Sequence, residues 1–201
     1  MIAIIDYDAG NILSVLKALE KLGVKPVLTR DAKVLKEADK VILPGVGAFG
    51  DAMDKLNNYG LVPIIEEIIK SGKPFLGICL GLQLLFEGSE EAPGVKGLSV
   101  LPGMIKKIPI GEYTKIPHMG WNSIDFPRNG KLFKGIDEGA YVYFVHSYYL
   151  DAADKNDVVA TCDYNVKVDA SVERDNVYAC QFHPEKSGEV GLKILSNFIE
   201  L

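Results

Sequence analysis

A five-residue stretch, Gly77-Ile78-Cys79-Leu80-Gly81, constrains this chain more than any other. An apolar run precedes it at residues 74–78, and a helix-patterned run follows directly at residues 80–87. Glycines two before and two after a cysteine, at a strand-to-helix junction, give a nucleophile elbow with cysteine in the serine position. The turn is tight and neighbouring backbone passes close to it, which is why glycine is needed on both sides. Such a turn exposes its side chain at a strand's carboxyl end, where open α/β sheets place ligands. The helix N-terminus behind it favours a thiolate. Taken alone, the pentapeptide fits a buried structural cysteine among packing glycines equally well.

The flanking pattern supplies the sheet. Residues 2–7 are an apolar run suited to a strand buried on both faces. Turn chemistry follows at residues 8–11, with Asn11 placed to cap a helix whose face is Ile12, Val15, Leu16, Leu19 and Leu22. Strand-like runs recur at residues 24–28, 41–43 and 74–78, with helical patterns between them. Strand–helix alternation with short loops predicts a parallel sheet covered on both faces. After about residue 93 strand-like runs dominate, at residues 98–108, 121–126, 141–149, 158–164, 170–173 and 177–182. A closing amphipathic helix, residues 188–199, turns Val190, Ile194 and Phe198 inward. The expectation is one α/β domain over residues 1–201: a three-layer open mixed sheet, mainly parallel, flavodoxin-like, with helices on both faces.

Composition narrows the function classes. The net charge is −5 and no basic run occurs, so there is no electrostatic footprint for nucleic acid or anionic lipid. Three cysteines, Cys79, Cys162 and Cys180, are too few for a disulfide framework and point to a reducing cytosol. The longest apolar stretch, residues 75–86, carries two glycines and Gln83 and is too short to span a bilayer. The expectation is a cytoplasmic protein. His118, His146 and His183 match no zinc spacing, so no metal or other cofactor is expected.

His183-Pro184-Glu185 follows a strand-like run ending at Phe182. Proline biases His183 toward an extended conformation. In extended backbone, positions two apart point the same way, so Glu185 can orient the His183 imidazole. A base with its orienter is what a cysteine nucleophile needs, and the elbow cysteine completes the triad Cys79, His183, Glu185. Pro44-Gly45-Val46-Gly47 ends another strand on the same rim. Its amides can face an oxyanion together with the N–H of Leu80. A plain turn or a phosphate loop are the alternatives, but neither dinucleotide nor Walker spacing is met. These residues alone leave open a free-standing cysteine hydrolase and a signalling module that binds a partner without catalysis.

Residues 77–83 and Gln181-Phe182-His183-Pro184-Glu185 together resemble the class I (triad) glutamine amidotransferases. Within that class, further segments resemble the glutaminase subunits of imidazole glycerol phosphate synthases: Asp6-Tyr7 with Gly10-Asn11, residues 43–47, 84–87 with 89–91, 117–122, 143–148 and 182–187. They spread over essentially the whole chain. The resemblance implies that Cys79 attacks the side-chain amide of glutamine, with Val46 and Leu80 as backbone oxyanion donors. It places Gly47, Gln83, Glu91, Ser147 and Tyr148 at the substrate. It also implies a heterodimer with a cyclase of (β/α)₈-barrel fold that receives the ammonia. Asn11, Met119, Trp121, Tyr143 and Lys186 are expected at that contact, with Trp121 as anchor or else a core residue. Asp8 stands where the family commonly has glycine, and Asp169 where proline or alanine is more usual.

Overall fold

In the computed structural model, which describes residues 1–112 and 114–201, the first strand is wholly buried and its side chains alternate between two apolar cores. In β1 (Ile2–Ile5), Ala3 and Ile5 join one apolar core while Ile2 and Ile4 join the other. α1 (Ile12–Lys21) covers the second core through Ile12, Val15 and Leu19. β2 (Val27–Thr29), α2 (Ala32–Glu37) and β3 (Lys40–Leu43) follow. α3 (Phe49–Asn58) and α4 (Leu61–Lys70) cover the first core through Phe49, Leu56, Leu61 and Ile65. Such residues are fully buried, so truncating one to alanine costs about 2–5 kcal/mol. β4 (Phe75–Ile78) leads directly into α5 (Leu80–Leu84), which is five residues rather than the eight expected.

The second half is split among three sheets. β5 (Gly88–Ser89), β6 (Gly103–Lys107), β7 (His118–Ser123), β8 (Tyr141–His146), β9 (Tyr148–Ala152), β10 (Val158–Tyr164), β11 (Val166–Arg174), β12 (Val177–Cys180) and α6 (Gly188–Glu200) complete the chain. The main sheet has the order β10-β11-β12-β4-β3-β1-β2. Its β12 to β2 portion is parallel, and β10-β11-β12 are antiparallel. The expected mixed sheet between helical layers is therefore present, but two smaller sheets, β5-β6-β9 and β7-β8, stand beside it. The single run expected at residues 141–149 breaks at Ser147, and its two halves pair with different partners. α6 buries Ile194 and Phe198 as expected, with Val190 partly buried.

Register places the chemistry. Leu43 lies opposite Gly77, and Ile78 lies opposite Cys180. The carboxyl ends of β1, β3, β4 and β12 are thereby side by side, and the segments leaving them form one rim. Among the described residues, no helix is long and apolar enough to cross a membrane.

Candidate active site

Cys79 sits at the strand–helix junction with φ 54°, ψ −107°, a conformation that non-glycine residues rarely adopt. Strain of this kind costs about 1–3 kcal/mol and persists where surrounding structure imposes it. Here the Cys79 N–H is held by the Cys180 carbonyl at 2.8 Å, and Leu82 N–H donates to the Cys79 carbonyl at 3.0 Å. Both elbow glycines are sterically required. A Cβ on Gly81 would collide with the Leu43 carbonyl, and one on Gly77 with the Gly81 backbone.

His183 and Glu185 meet as their spacing predicts. His183 Nδ1 donates to Glu185 Oε1 at 2.8 Å, and both side chains are almost wholly buried. Burial disfavours the imidazolium, but the Cys79 sulfur and the Glu185 carboxylate outweigh it and raise the His183 pKa to about 10. The sulfur acts on the ring without closing a hydrogen bond, since His183 Nε2 has no partner. The His183 backbone is pinned by its N–H to the Tyr143 carbonyl at 2.9 Å and by Ser187 Oγ to its own carbonyl at 2.6 Å.

Glu185 has a further partner that its sequence position does not announce. Asn11 Nδ2 donates to Glu185 Oε1 at 2.8 Å, and Ser14 Oγ donates to Asn11 Oδ1 at 2.7 Å. Asn11 was expected to cap α1, but at φ 65° its side chain bonds the Ser14 hydroxyl and Glu185 and caps no backbone N–H of the helix. The preceding loop is braced as well. Asp8, at φ 58°, accepts from Arg30 at 2.6 Å and from Tyr59, and its carbonyl accepts from Lys55 Nζ at 2.9 Å. The Arg30 and Tyr59 hydrogen bonds hold the Asp8 carboxyl below its ordinary value. Arg30 also lies over the Tyr59 ring, 4.2 Å from its centroid.

Beside Cys79 lies a cavity of about 310 Å³. Val46, Gly47, Gln83, Glu91, Ser147 and Tyr148 all line it, so the residues expected at glutamine share one space. Its other walls are Leu80, Pro117, Val145 and His146. Glu91 Oε2 accepts from the Phe49 N–H at 2.8 Å, which fixes its carboxylate at the rim. A cavity of this volume has room for a small amino acid, and its wall carries both the acid Glu91 and the backbone of Gly47.

The family model for class I glutamine amidotransferases matches residues 3–201. The chain is a class I glutamine amidotransferase. It is 53% identical to the imidazole glycerol phosphate synthase subunit HisH of Syntrophotalea carbinolica, covering 98% of each chain. It is 52% identical to the HisH subunit of Moorella thermoacetica, over 100% of this chain and 94% of that one. Among solved structures, PurLQS of Thermotoga maritima superposes with a TM-score of 0.73 at 22% identity, covering 99% and 97% of the two chains. A structure described as a glutamine amidotransferase gives 0.77 at 18% identity, covering 98% and 97%. These last two likenesses concern the fold.

The residues expected at a partner do not share one environment in this amidotransferase. Met119 and Trp121 on β7 are 62% and 55% exposed, so Trp121 is not a core residue. Trp121 packs edge-to-face on Tyr143, with centroids 6.0 Å apart. Lys186 is exposed, whereas Asn11 is half-buried and directed at Glu185. Asp169, the other departure from the family pattern, accepts from Ala152 N–H at 2.9 Å and Lys155 Nζ at 2.7 Å, tying β11 to β9. Cys162 and Cys180 are buried, and burial pushes both thiols up, Cys162 to about 12. His118 and His146 pair at 2.9 Å, and burial lowers them to about 4 and 3. Among the described residues, no group of three or more His, Cys, Asp or Glu side chains converges as a metal site.

Proposed function

We propose that the chain is the glutaminase subunit of an imidazole glycerol phosphate synthase, a single amidotransferase domain acting in histidine biosynthesis in the cytoplasm. The observation that carries this reading is identity of 52–53% to HisH subunits along essentially the entire chain. Its partner is a cyclase subunit of (β/α)₈-barrel fold, joined as a heterodimer, which uses the ammonia to make imidazole glycerol phosphate and an aminoimidazole carboxamide ribotide. Met119, Trp121, Tyr143 and Lys186 form the contact, with Asn11 behind them.

In the proposed mechanism the Cys79 proton passes to His183 Nε2 and the sulfur attacks the glutamine side-chain carbonyl. Glu185 keeps the imidazole oriented and stabilises its charged form. The tetrahedral oxyanion is held by backbone N–H groups of Val46 and Leu80. When the intermediate collapses the C–N bond breaks, and His183 returns its proton to the leaving nitrogen, releasing ammonia. Water then attacks the glutamyl thioester, His183 takes the water proton, the C–S bond breaks, and glutamate leaves as the thiol is reprotonated. Gln83, Glu91, Gly47, Ser147 and Tyr148 hold the amino-acid end of the substrate.

A glutamine-analogue electrophile with a reactive carbon at the amide position tests the reading. Mass spectrometry should find it on Cys79 in the presence of the cyclase. An unlabelled Cys79 under conditions where the cyclase makes product from ammonia removes the main support.

A further inference from the structure

Between the triad and the cavity runs a chain of polar contacts that ends on Gln181, a residue with no part in the proposed mechanism. Its fixed point is the Tyr148 carbonyl, which can only accept. It accepts from Gln83 Nε2 at 3.1 Å and from His146 Nδ1 at 2.8 Å. The carbonyl therefore dictates which way the Gln83 amide faces. Gln83 Nε2 also donates to Gln181 Oε1 at 3.0 Å, and this fixes the second amide in turn. With its oxygen committed to Gln83, Gln181 presents Nε2 to the Cys79 sulfur at 3.7 Å. Gln181 is completely buried, and its N–H is held by the Ala170 carbonyl at 2.8 Å. Flipping either amide would set like against like and leave a buried polar pair unsatisfied.

The outer side of the carbonyl has the same polarity. Since His146 Nδ1–H donates to Tyr148, the neutral ring has Nε2 free to accept, and His118 Nδ1–H supplies that bond at 2.9 Å. His118 is stacked between Phe144 and Tyr164, with centroids 4.7 and 3.8 Å away. The pair thus backs the Tyr148 carbonyl in one position.

The geometry points to Gln181 as a further catalytic residue, an N–H donor aimed through Gln83 by the Tyr148 carbonyl, that stabilises the Cys79 thiolate as its proton leaves for His183. This role rests on the glutaminase reading and deepens it. The sulfur has few other donors: α5 is only five residues long, and its first N–H, that of Leu80, is bonded to the Gly45 carbonyl. A donor is worth about twice as much to an ionised acceptor as to a neutral one, so the contact favours the thiolate over the thiol. His183, Tyr7 and Cys180 are the titratable groups on which the Cys79 sulfur acts, and the variants below leave all three in place.

Iodoacetamide alkylation of the full chain, followed by peptide mass spectrometry, reads the Cys79 sulfur without requiring glutamine to bind. In Gln181→Leu the pH profile of Cys79 alkylation should move upward by about one unit or more. Glutamine turnover in the complex with cyclase should fall about ten- to a hundredfold, the worth of a hydrogen bond to a charged group. Gln181→Glu, similar in shape but without the donor when ionised, should move the profile at least as far. A third measurement needs no altered glutamine: the Gln181 side-chain amide resonances should shift along the alkylation profile in the native chain and stay still in Cys79→Ala. Alkylation profiles unmoved in both variants, or amide resonances indifferent to the sulfur, overturn the role. A variant that hydrolyses glutamine faster also overturns it, because Gln181 would then hold the thiol away from His183. If the native complex hydrolyses no glutamine but the alkylation profile still moves, the glutaminase reading fails and the donor role stands.

Discussion

The Leu80 N–H donates to the Gly45 carbonyl across 3.2 Å, so one of the two donors expected to face an oxyanion is already paired. The loop is held in that state by Tyr7, whose hydroxyl donates to the adjacent Pro44 carbonyl at 2.8 Å in a buried setting. Tyr7 also fills the space beside Gly45, where any Cβ would collide with its hydroxyl. A turn of the Gly45 peptide would free the Leu80 donor for chemistry. Glutamine hydrolysis should therefore be slow in the isolated chain, faster with cyclase, and fastest with cyclase and its acceptor ligand. Equal rates in the three assays would refute this coupling.

Tyr7→Phe removes the bond to Pro44 and keeps the ring. Losing a restraint worth about 1 kcal/mol should raise the isolated chain's glutaminase rate about fivefold, with the fully activated rate unchanged. Steady-state kinetics of the two states check it, and an unchanged basal rate rejects the latch.

Cys79→Ala should abolish glutamine hydrolysis while the complex still makes product from added ammonia. Glu185→Ala should retain more activity than His183→Ala, because it orients the base and accepts no substrate proton. Asn11→Ala, which leaves Glu185 with one fewer donor, should lower kcat about tenfold and leave KM for glutamine within twofold. A KM effect without a kcat effect would place Asn11 outside the relay.

Stability should depend on pH from both sides. His118 and His146 are lowered by burial from 6.5 to about 4 and 3, so the stability they confer is complete above 6.5 and lost as pH falls toward those values. His183 is raised to about 10, so its contribution is complete below 6.5 and lost as pH rises toward 10. Thermal melts from pH 3 to 10 should show both limbs, with His118→Phe flattening the acid limb and Cys79→Ala the alkaline one. An acid limb unaffected by His118→Phe contradicts the assignment.

Trp121→Ala should weaken the complex with cyclase about thirtyfold or more, as loss of an interface anchor costs about 2 kcal/mol. Calorimetry or surface binding measures it, and unchanged affinity removes the anchor. Iodoacetamide alkylation of Cys79 should be unaltered in the isolated variant.

Much of the fold was legible because the first half obeys local rules. The apolar runs at β1, β3 and β4, and the faces of α1 and α6, are one-dimensional patterns. So is the elbow, whose glycines mark a collision with Leu43 that no other residue avoids. The cavity residues Gln83, Glu91, Ser147 and Tyr148 came from resemblance, since their convergence depends on sheet pairing that spacing does not encode. The Asn11–Glu185 bond was not legible for the same reason: 174 positions separate partners that two strand ends bring together. An asparagine beside a helix start reads locally as a cap. The break at Ser147 was also hidden, because an unbroken β-favouring run, residues 141–149, gives no sign that its halves belong to different sheets.

That break has a mechanical meaning. β8 pairs with β7 and β9 pairs with β6, so Ser147 is the joint at which the chain passes from one sheet to another. Trp121 and Met119 ride on the outer arm, while the Tyr148 carbonyl begins the inner one. The arms are coupled at the joint by His118 and His146, which face each other across β7 and β8. Because β8 and β9 belong to different sheets, the His118–His146 bond, rather than continuous strand pairing, links the side chains of β7 to the Tyr148 carbonyl. The exposed face of β7 and the cavity wall are thereby joined through one buried pair of imidazoles.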